Sequence, residues 1–256
     1  MTTLVLSGWA VLSVALALLW VRQLATRNAT SVDVAWSAGL AFLSIAYPWF
    51  VEGDLIRRVL VGALGALWAL RLAWYLLSDR VLRATEEDGR YRAIRQHFGA
   101  RANLFLFFFY QGQAAVAVLF SLPMLAAMTG GPLDGWAFAG VIVWLVAVAG
   151  ETIADRQLAR FRNDAANRGQ VCDTGLWRYS RHPNYFFEWV HWLAYVLIGH
   201  GALLTWIGPV GMLLFLFRLT GIPYTEKQAL KSRGDRYREY QRTTSVFFPW
   251  FPRSGS

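Results

Sequence analysis

The sequence predicts an all-helical bundle embedded in a membrane, with about seven spans. Three observations carry that prediction. Of 256 residues, 56% are hydrophobic, and they include 13 Trp, 17 Phe and 10 Tyr, which is more apolar surface than a soluble chain of this length hides. The apolar residues fall in long runs of the length that crosses a bilayer, roughly 20 residues. The basic residues fall almost entirely in alternate connections between those runs, as the positive-inside rule requires of a polytopic protein.

Taken in order, the runs are Leu4 to Val21, Val32 to Val51, Val59 to Leu77, Leu104 to Met128, Trp136 to Ala154, Tyr185 to Ile198 and Leu203 to Leu219. Each must be helical, because hydrocarbon offers no partner for an unpaired backbone N–H or C=O. The first run lacks a basic leader and is followed by Arg22 and Arg27 rather than a cleavage site, so it reads as a retained span. The sixth is short and polar-rich. Residues 1–256 read as one membrane domain. The long polar stretches 79–103, 156–183 and 225–256 form a cap on one side of it.

Charge places that cap. Arg80, Arg83, Arg90, Arg92, Arg95 and Arg101 lie in the first long stretch, Arg156, Arg160, Arg162, Arg168, Arg178 and Arg181 in the second, and seven Lys and Arg in the tail. Only Arg57 and Arg58 lie on the other side. The expected topology has the N-terminus outside and the C-terminus in the cytoplasm, in the manner of a bacterial inner-membrane protein. The net charge of +9 is thereby assigned to topology and anionic headgroups rather than to nucleic acid. Cys172 is the only cysteine, which excludes an internal disulfide and a cysteine-based metal site. No metal and no oligomeric partner is expected.

Ionisable groups at membrane depth cost several kcal/mol and face a cavity or a partner. Asp33, Arg71, Glu151, Asp155, Glu188 and His191 are of this kind. Glu151 and Asp155 share a helical face, as do Glu188 and His191. Arg71 is a candidate partner for Asp33.

The stretch with the densest chemistry runs from Asp173 to Glu188. Pro183 suits a first helical turn, and the free N–H groups of that turn attract anions. Arg178, Arg181 and His182 add charge beside it, and Asn184 and Glu188 stand one turn apart. The arrangement suits a phosphate-bearing cofactor or a carboxylate.

Asp173-Thr174-Gly175-Leu176 followed by Arg181-His182-Pro183-Asn184-Tyr185 resembles the signature of bacterial membrane proteins in the steroid 5-alpha-reductase superfamily. The segment Glu151 to Arg162 resembles that family's span-end segment. The tail from Glu226 through Tyr237, Tyr240, Thr244 and Pro249 resembles its C-terminal helix and closing residues. The resemblance covers most of the chain and is clearest from Glu151 onward. It implies NADPH-dependent reduction of the carbon–carbon double bond of a 3-oxo-4-ene steroid or related cyclic lipid enone. It also implies that NADPH is held in the cytoplasmic half of a seven-helix bundle. By the same resemblance Asp155, Arg162, Tyr179, Asn184 and Glu188 bind the cofactor, with Arg181, His182, Glu226, Tyr237 and Tyr240 contributing. There is no Gly-x-Gly-x-x-Gly stretch, so no Rossmann module is expected.

Reduction of an enone needs a group that hydrogen-bonds the ketone oxygen as charge develops there. Eukaryotic relatives use a Gln-Glu pair on the second span and a Tyr on the third. Ser31 to Trp36 has no such pair here. The candidates are Asp33, kept neutral by burial, and Tyr110 beside Gln111 and Gln113. Two other readings remain in view. Isoprenylcysteine carboxyl methyltransferases, which use S-adenosylmethionine, share Arg-His-Pro-x-Tyr and a similar tail. However, the following positions here are Phe186 and Phe187, and Glu226 is followed by Lys227. A non-enzymatic sterol- or lipid-binding protein is the third.

Overall fold

The structure of the chain is a computed structural model that describes residues 1–84, 86–219 and 221–253. Thr85 and Thr220, and with Ser254–Ser256 the end of the expected tail, lie outside the described residues. Every regular element among the described residues is helical and none is a strand. Five helical stretches are long and apolar enough to cross a membrane: Thr2–Thr26, Leu55–Leu82, Gly89–Met128, Gly135–Asn163 and Leu203–Arg233. The second and sixth expected spans are helices of only 16 residues each, Ser31–Ala46 and Pro183–Ile198. At 1.5 Å per residue such a helix is about 24 Å long, less than the roughly 30 Å hydrocarbon core. The chain divides into two compact units, Met1–Leu133 and Asp134–Ser256.

The first unit holds α1 (Thr2–Thr26), α2 (Ser31–Ala46), α3 (Leu55–Leu76), α4 (Gly89–Phe98) and α5 (Ala102–Met128). Helix α2 packs chiefly on α3 and α5, and α1 lies against α5. Helices in lipid have no hydrophobic effect to drive them together, so small residues and buried polar pairs do that work. A Cβ on Gly62 would lie 2.6 Å from Pro48 Cγ and 2.7 Å from the Ser44 carbonyl oxygen, so α2 and α3 touch backbone to backbone. The Tyr47 and Ser121 hydroxyls meet at 2.9 Å, tying the end of α2 to α5.

Arg57 and Arg58, the exceptions to the charge asymmetry, close the opposite end of this unit. Arg57 is 3% exposed and donates to the carbonyls of Gly131 at 2.7 Å and Pro132 at 3.0 Å. Arg58 donates to Pro48 and Val51 carbonyls at 2.9 and 2.6 Å. They supply donors to loop carbonyls that would otherwise stay unpaired. Asp54 caps α3 by accepting from Arg57 N at 3.0 Å.

The polar stretch 79–103 is largely ordered into helix. A π-helical turn, Leu77–Leu82, extends α3, and α4 begins at the cap residue Asp88, which accepts from Arg90 N at 2.9 Å.

The second unit holds α6 (Gly135–Asn163), α7 (Pro183–Ile198), α8 (Ile207–Leu214), α9 (Ile222–Arg233) and α10 (Asp235–Thr243). Asp134 caps α6 by accepting from Ala137 N at 3.0 Å. The helix then runs nine residues past the expected end of its span at Ala154, so the first third of the 156–183 stretch continues α6 instead of looping. Its pairing with α7 is the most extensive in the unit. A Cβ on Gly140 would fall 2.8 Å from the Ala194 carbonyl, and one on Gly150 would fall 2.5 Å from the Phe187 ring. Pro183 occupies the first turn of α7, as its missing N–H favours. Gly234, at φ 56, ends α9 and lets α10 begin at once.

Because Gly62 sits at backbone contact, Gly62→Leu should overpack the α2–α3 seam and cost about 1–3 kcal/mol. Gly112, with nothing near its missing Cβ, is the control. Thermal unfolding in detergent, followed by tryptophan fluorescence, should show a lowered midpoint for Gly62→Leu and little change for Gly112→Leu.

Candidate cofactor site

In the second unit the site grows from the turn that leads into α7. Residues Gly175–Arg178 form a 3-10 turn seated on α6. Leu176 N donates to Gln157 Oε1 at 2.9 Å, and the Trp177 indole donates to the Ala154 carbonyl at 3.0 Å. The chain then passes through Ser180, whose hydroxyl donates to the Phe247 carbonyl at 2.8 Å and accepts from His182 N at 3.1 Å. This fixes the start of α7 against the C-terminal segment before any charged group is considered.

Arg181 is the centre of the arrangement. Its Nε donates to Glu226 Oε1 at 2.7 Å, and its Nη1 donates to the carbonyls of Gln241 at 3.1 Å and Thr244 at 2.6 Å. Its backbone N donates to the Ser245 carbonyl at 2.8 Å. Glu226 also accepts from Gln241 Nε2 at 2.8 Å, and His182 Nε2 lies 3.4 Å from it. The side chains of Arg181, His182 and Glu226 are 10%, 4% and 16% exposed. The ring of His182 stacks on Tyr185 with centroids 5.4 Å apart.

Tyr240 donates its hydroxyl to the Trp177 carbonyl and reaches the Ser180 carbonyl at 3.3 Å. Its hydroxyl is pushed well above the ordinary tyrosine range by burial and by the neighbouring Tyr237. Tyr237 packs edge-on to Tyr240 at 5.8 Å. Its own hydroxyl is pushed up to about 12 by burial and the charge of Glu226, against the opposing pull of Arg181. Both hydroxyls therefore stay neutral, and Tyr240 is the one that donates.

The structure thus brings Arg181, His182, Glu226, Tyr237 and Tyr240 into one cluster, and in it their polar atoms are turned largely on protein partners. Asp155 and Asn184 form a second pair. Asn184 Nδ2 donates to Asp155 Oδ1 at 3.1 Å, joining α6 to α7. Glu188 stands one turn further along α7 from Asn184. Arg162 lies seven residues beyond Asp155, which returns it to nearly the same face of α6; it is exposed there and makes no hydrogen bond or ion pair with the described residues. Tyr179 is half-buried, edge-on to Phe251 at 5.9 Å, and its carbonyl accepts from Trp250 N at 2.9 Å. Gln157, Gln241 and Ser180 complete the site and were not singled out from sequence. They are neutral residues whose neighbours lie from 15 to 67 positions away, and no local pattern marks them.

The candidate acids sit in the first unit. Asp33, in the first turn of α2, accepts from Arg80 Nη1 at 3.1 Å, from Arg90 Nη2 at 2.5 Å and from the Tyr91 hydroxyl at 2.8 Å. Arg80, Arg90 and Tyr91 thus take the place that the sequence reading gave to Arg71. Asp33 accepts in all three bonds, two of them ion pairs with Arg80 and Arg90. Asp88 joins the group by accepting from Arg90 Nε at 3.0 Å. Burial opposes charge on Asp88, but the hydrogen bonds and charge of Arg90 win and hold its carboxyl below the ordinary carboxylate range. Beside this group Glu87 accepts from the Ala29 N–H at 2.8 Å and binds Arg95, which also reaches Gln23 at 2.8 Å. Tyr110 is fully buried, and its hydroxyl donates to the Ala29 carbonyl at 3.3 Å. His191 turns Nδ1 to the Glu188 carbonyl at 2.7 Å.

Residues 19–244 match the family described as "Protein of unknown function (DUF1295)". The chain belongs to this family. Among curated proteins it is similar to an uncharacterised protein of Schizosaccharomyces pombe, 27% identical over 90% of this chain and 75% of that protein. No solved structure matches it. The matched range takes in the Asp33 group, the Asp155–Asn184 pair and the whole Arg181 cluster.

Breaking the Arg181–Glu226 pair strands a mostly buried charge, at a cost of about 3–5 kcal/mol. Glu226→Ala should lower the thermal midpoint in detergent by several degrees. Arg181→Lys keeps the charge but loses the fork that reaches two carbonyls, and it should fall between Glu226→Ala and the unsubstituted protein.

Proposed function

We propose that the chain is an NADPH-dependent reductase of the conjugated double bond of a 3-oxo-4-ene steroid or related cyclic lipid enone, of the steroid 5-alpha-reductase type. The observation that carries the reading is the Asp155–Asn184 hydrogen bond. It sets a carboxylate and an amide side by side at the start of α7, with Glu188 one turn further on. These are the residues that the family resemblance gives to the cofactor, and their chemistry fits it. Carboxylates and an amide suit ribose hydroxyls and a carboxamide. Arg162, on nearly the same face of α6 as Asp155 and with no hydrogen bond or ion pair among the described residues, suits a phosphate.

Bound NADPH would supply the hydride for the beta carbon of the enone. The chain's part is to hold, orient and exclude water. In the second unit Asp155, Asn184 and Glu188 are the gripping groups, while Arg181, His182, Glu226 and Tyr240 hold the turn that presents Asn184. In the first unit Asp33 keeps the Tyr91 hydroxyl and two guanidinium groups in place. In this reading Asp33 acts by ordering a donor for the ketone oxygen, and Tyr110 is the second candidate for that contact. The two residues after Asn184-Tyr185, Phe186 and Phe187, pack against Phe247 and against α6 at Gly150. That packing, in place of the glycine found in the methyltransferases, favours the reductase over methyl transfer from S-adenosylmethionine.

Purified protein in detergent should convert labelled progesterone or testosterone with NADPH and should not methylate a prenylcysteine with S-adenosylmethionine. Asn184→Ala should weaken NADPH binding roughly 5- to 150-fold, the effect of about 1–3 kcal/mol from one lost bond in a buried network. Asp33→Asn should lower turnover more than NADPH affinity. Methyl transfer without steroid reduction would replace this reading with the methyltransferase one.

A further inference from the structure

Two cavities of the second unit meet at one residue. The first is an apolar groove of about 600 Å³ along α6, lined by Val146, Ala149, Ile153, Leu176, Tyr179 and Phe187, and closed at one end by Gln157 and Arg178. The second is a polar cleft of about 620 Å³ whose walls include Asp173, Thr174, Arg178, Arg236, Glu239 and Thr243. Arg178 lines both.

The groove crosses the boundary between apolar and polar sequence. Val146 and Ile153 lie in the apolar run of α6 and are 56% and 49% exposed, which suits contact with hydrocarbon. Gln157 lies one turn beyond Ile153 and is spent on Leu176 N. Tyr179 lies at the same level, where amphipathic rings favour the membrane–water interface. An occupant of the groove therefore has an apolar tail and a polar head at the Arg178 end.

The cleft specifies that head. It has four charged groups, two of each sign. Arg236 donates to Gln170 Oε1 at 2.7 Å, and Glu239 pairs with Arg242 at 2.5 Å. Arg178 and Asp173 form no hydrogen bond or ion pair through their side chains with any described residue. One cation and one carboxylate are left over. The cation stands where groove and cleft join, and the carboxylate lines the cleft alone.

We propose that this surface binds one phosphatidylethanolamine molecule. An acyl chain lies along Val146 to Ile153, the phosphate meets the Arg178 guanidinium, and the ammonium meets Asp173. The order of the chemistry along the lipid is the order of the groups along the protein. A purely anionic headgroup would leave Asp173 facing like charge. A choline headgroup has no N–H to donate to it. The assignment goes beyond the reductase reading and stands independently of it.

The test is native mass spectrometry of the lipid-depleted full-length protein, titrated with phosphatidylethanolamine, phosphatidylglycerol and phosphatidylcholine of identical acyl chains. Phosphatidylethanolamine should bind one per chain, about tenfold or more tighter than the other two, the effect of one charge-assisted hydrogen bond. Arg178→Ala should weaken it by a similar factor, and Arg178→Lys should restore most of the loss. Asp173→Asn should abolish the preference over phosphatidylglycerol. Both positions are exposed, and an unchanged thermal midpoint checks that the variants are folded. Equal affinity for the three lipids, or undiminished phosphatidylethanolamine binding in Arg178→Ala, would overturn the proposal.

Discussion

The guanidinium of Arg181 binds α9 through Glu226, the end of α10 through Gln241 and the segment beyond it through Thr244. Three separate lengths of chain thus converge on one side chain at the start of α7. A charge so nearly buried is stable only when its donors are matched, and here carboxylate and carbonyls match them. The position of everything downstream follows. Pro183 can begin α7 where it does because residues 180–182 are already held. Asn184 can face Asp155 because α7 begins there. The expected cofactor residues therefore divide between the Arg181 cluster and the Asp155–Asn184 pair, with Glu188 one turn beyond.

The membrane imposes the second constraint. Where the solvent cannot hydrogen-bond, helices must satisfy their own backbones and come together through close contact and a few polar pairs. Gly62, Gly140 and Gly150 supply the contact, and Tyr47–Ser121 is one of the pairs. Arg57 and Arg58 show the same constraint at the loops. Their charges would contradict the topology rule if they were only surface charges, but the structure commits them to backbone carbonyls.

Much of this was legible in the sequence, because apolar run length and helical spacing are local properties. The helical class and the shared faces of Glu151 with Asp155 and of Glu188 with His191 follow from them. Pairings between distant segments do not. The choice of Arg80, Arg90 and Tyr91 over Arg71 as partners of Asp33 depends on the π-helical turn at Leu77–Leu82 and on how α4 folds back, and neither leaves a periodic signal. The same holds for Arg181. Its charge suggested an anion site, but its partner Glu226 lies 45 residues away. The extension of α6 to Asn163 was hidden because a polar helix and a polar loop share a composition. The shortness of α2 was hidden because hydropathy continues past its end into a turn, whereas that of α7 was expected.

In the proposed reductase the Asp155–Asn184–Glu188 face holds a nicotinamide cofactor. A ligand that binds only the native state raises the melting temperature with concentration, so thermal unfolding of the purified protein against graded NADPH and, separately, S-adenosylmethionine tests it most directly. The midpoint should rise with NADPH, rise less in Glu188→Ala, and not respond to S-adenosylmethionine. A midpoint that rises with S-adenosylmethionine and is indifferent to NADPH would contradict it.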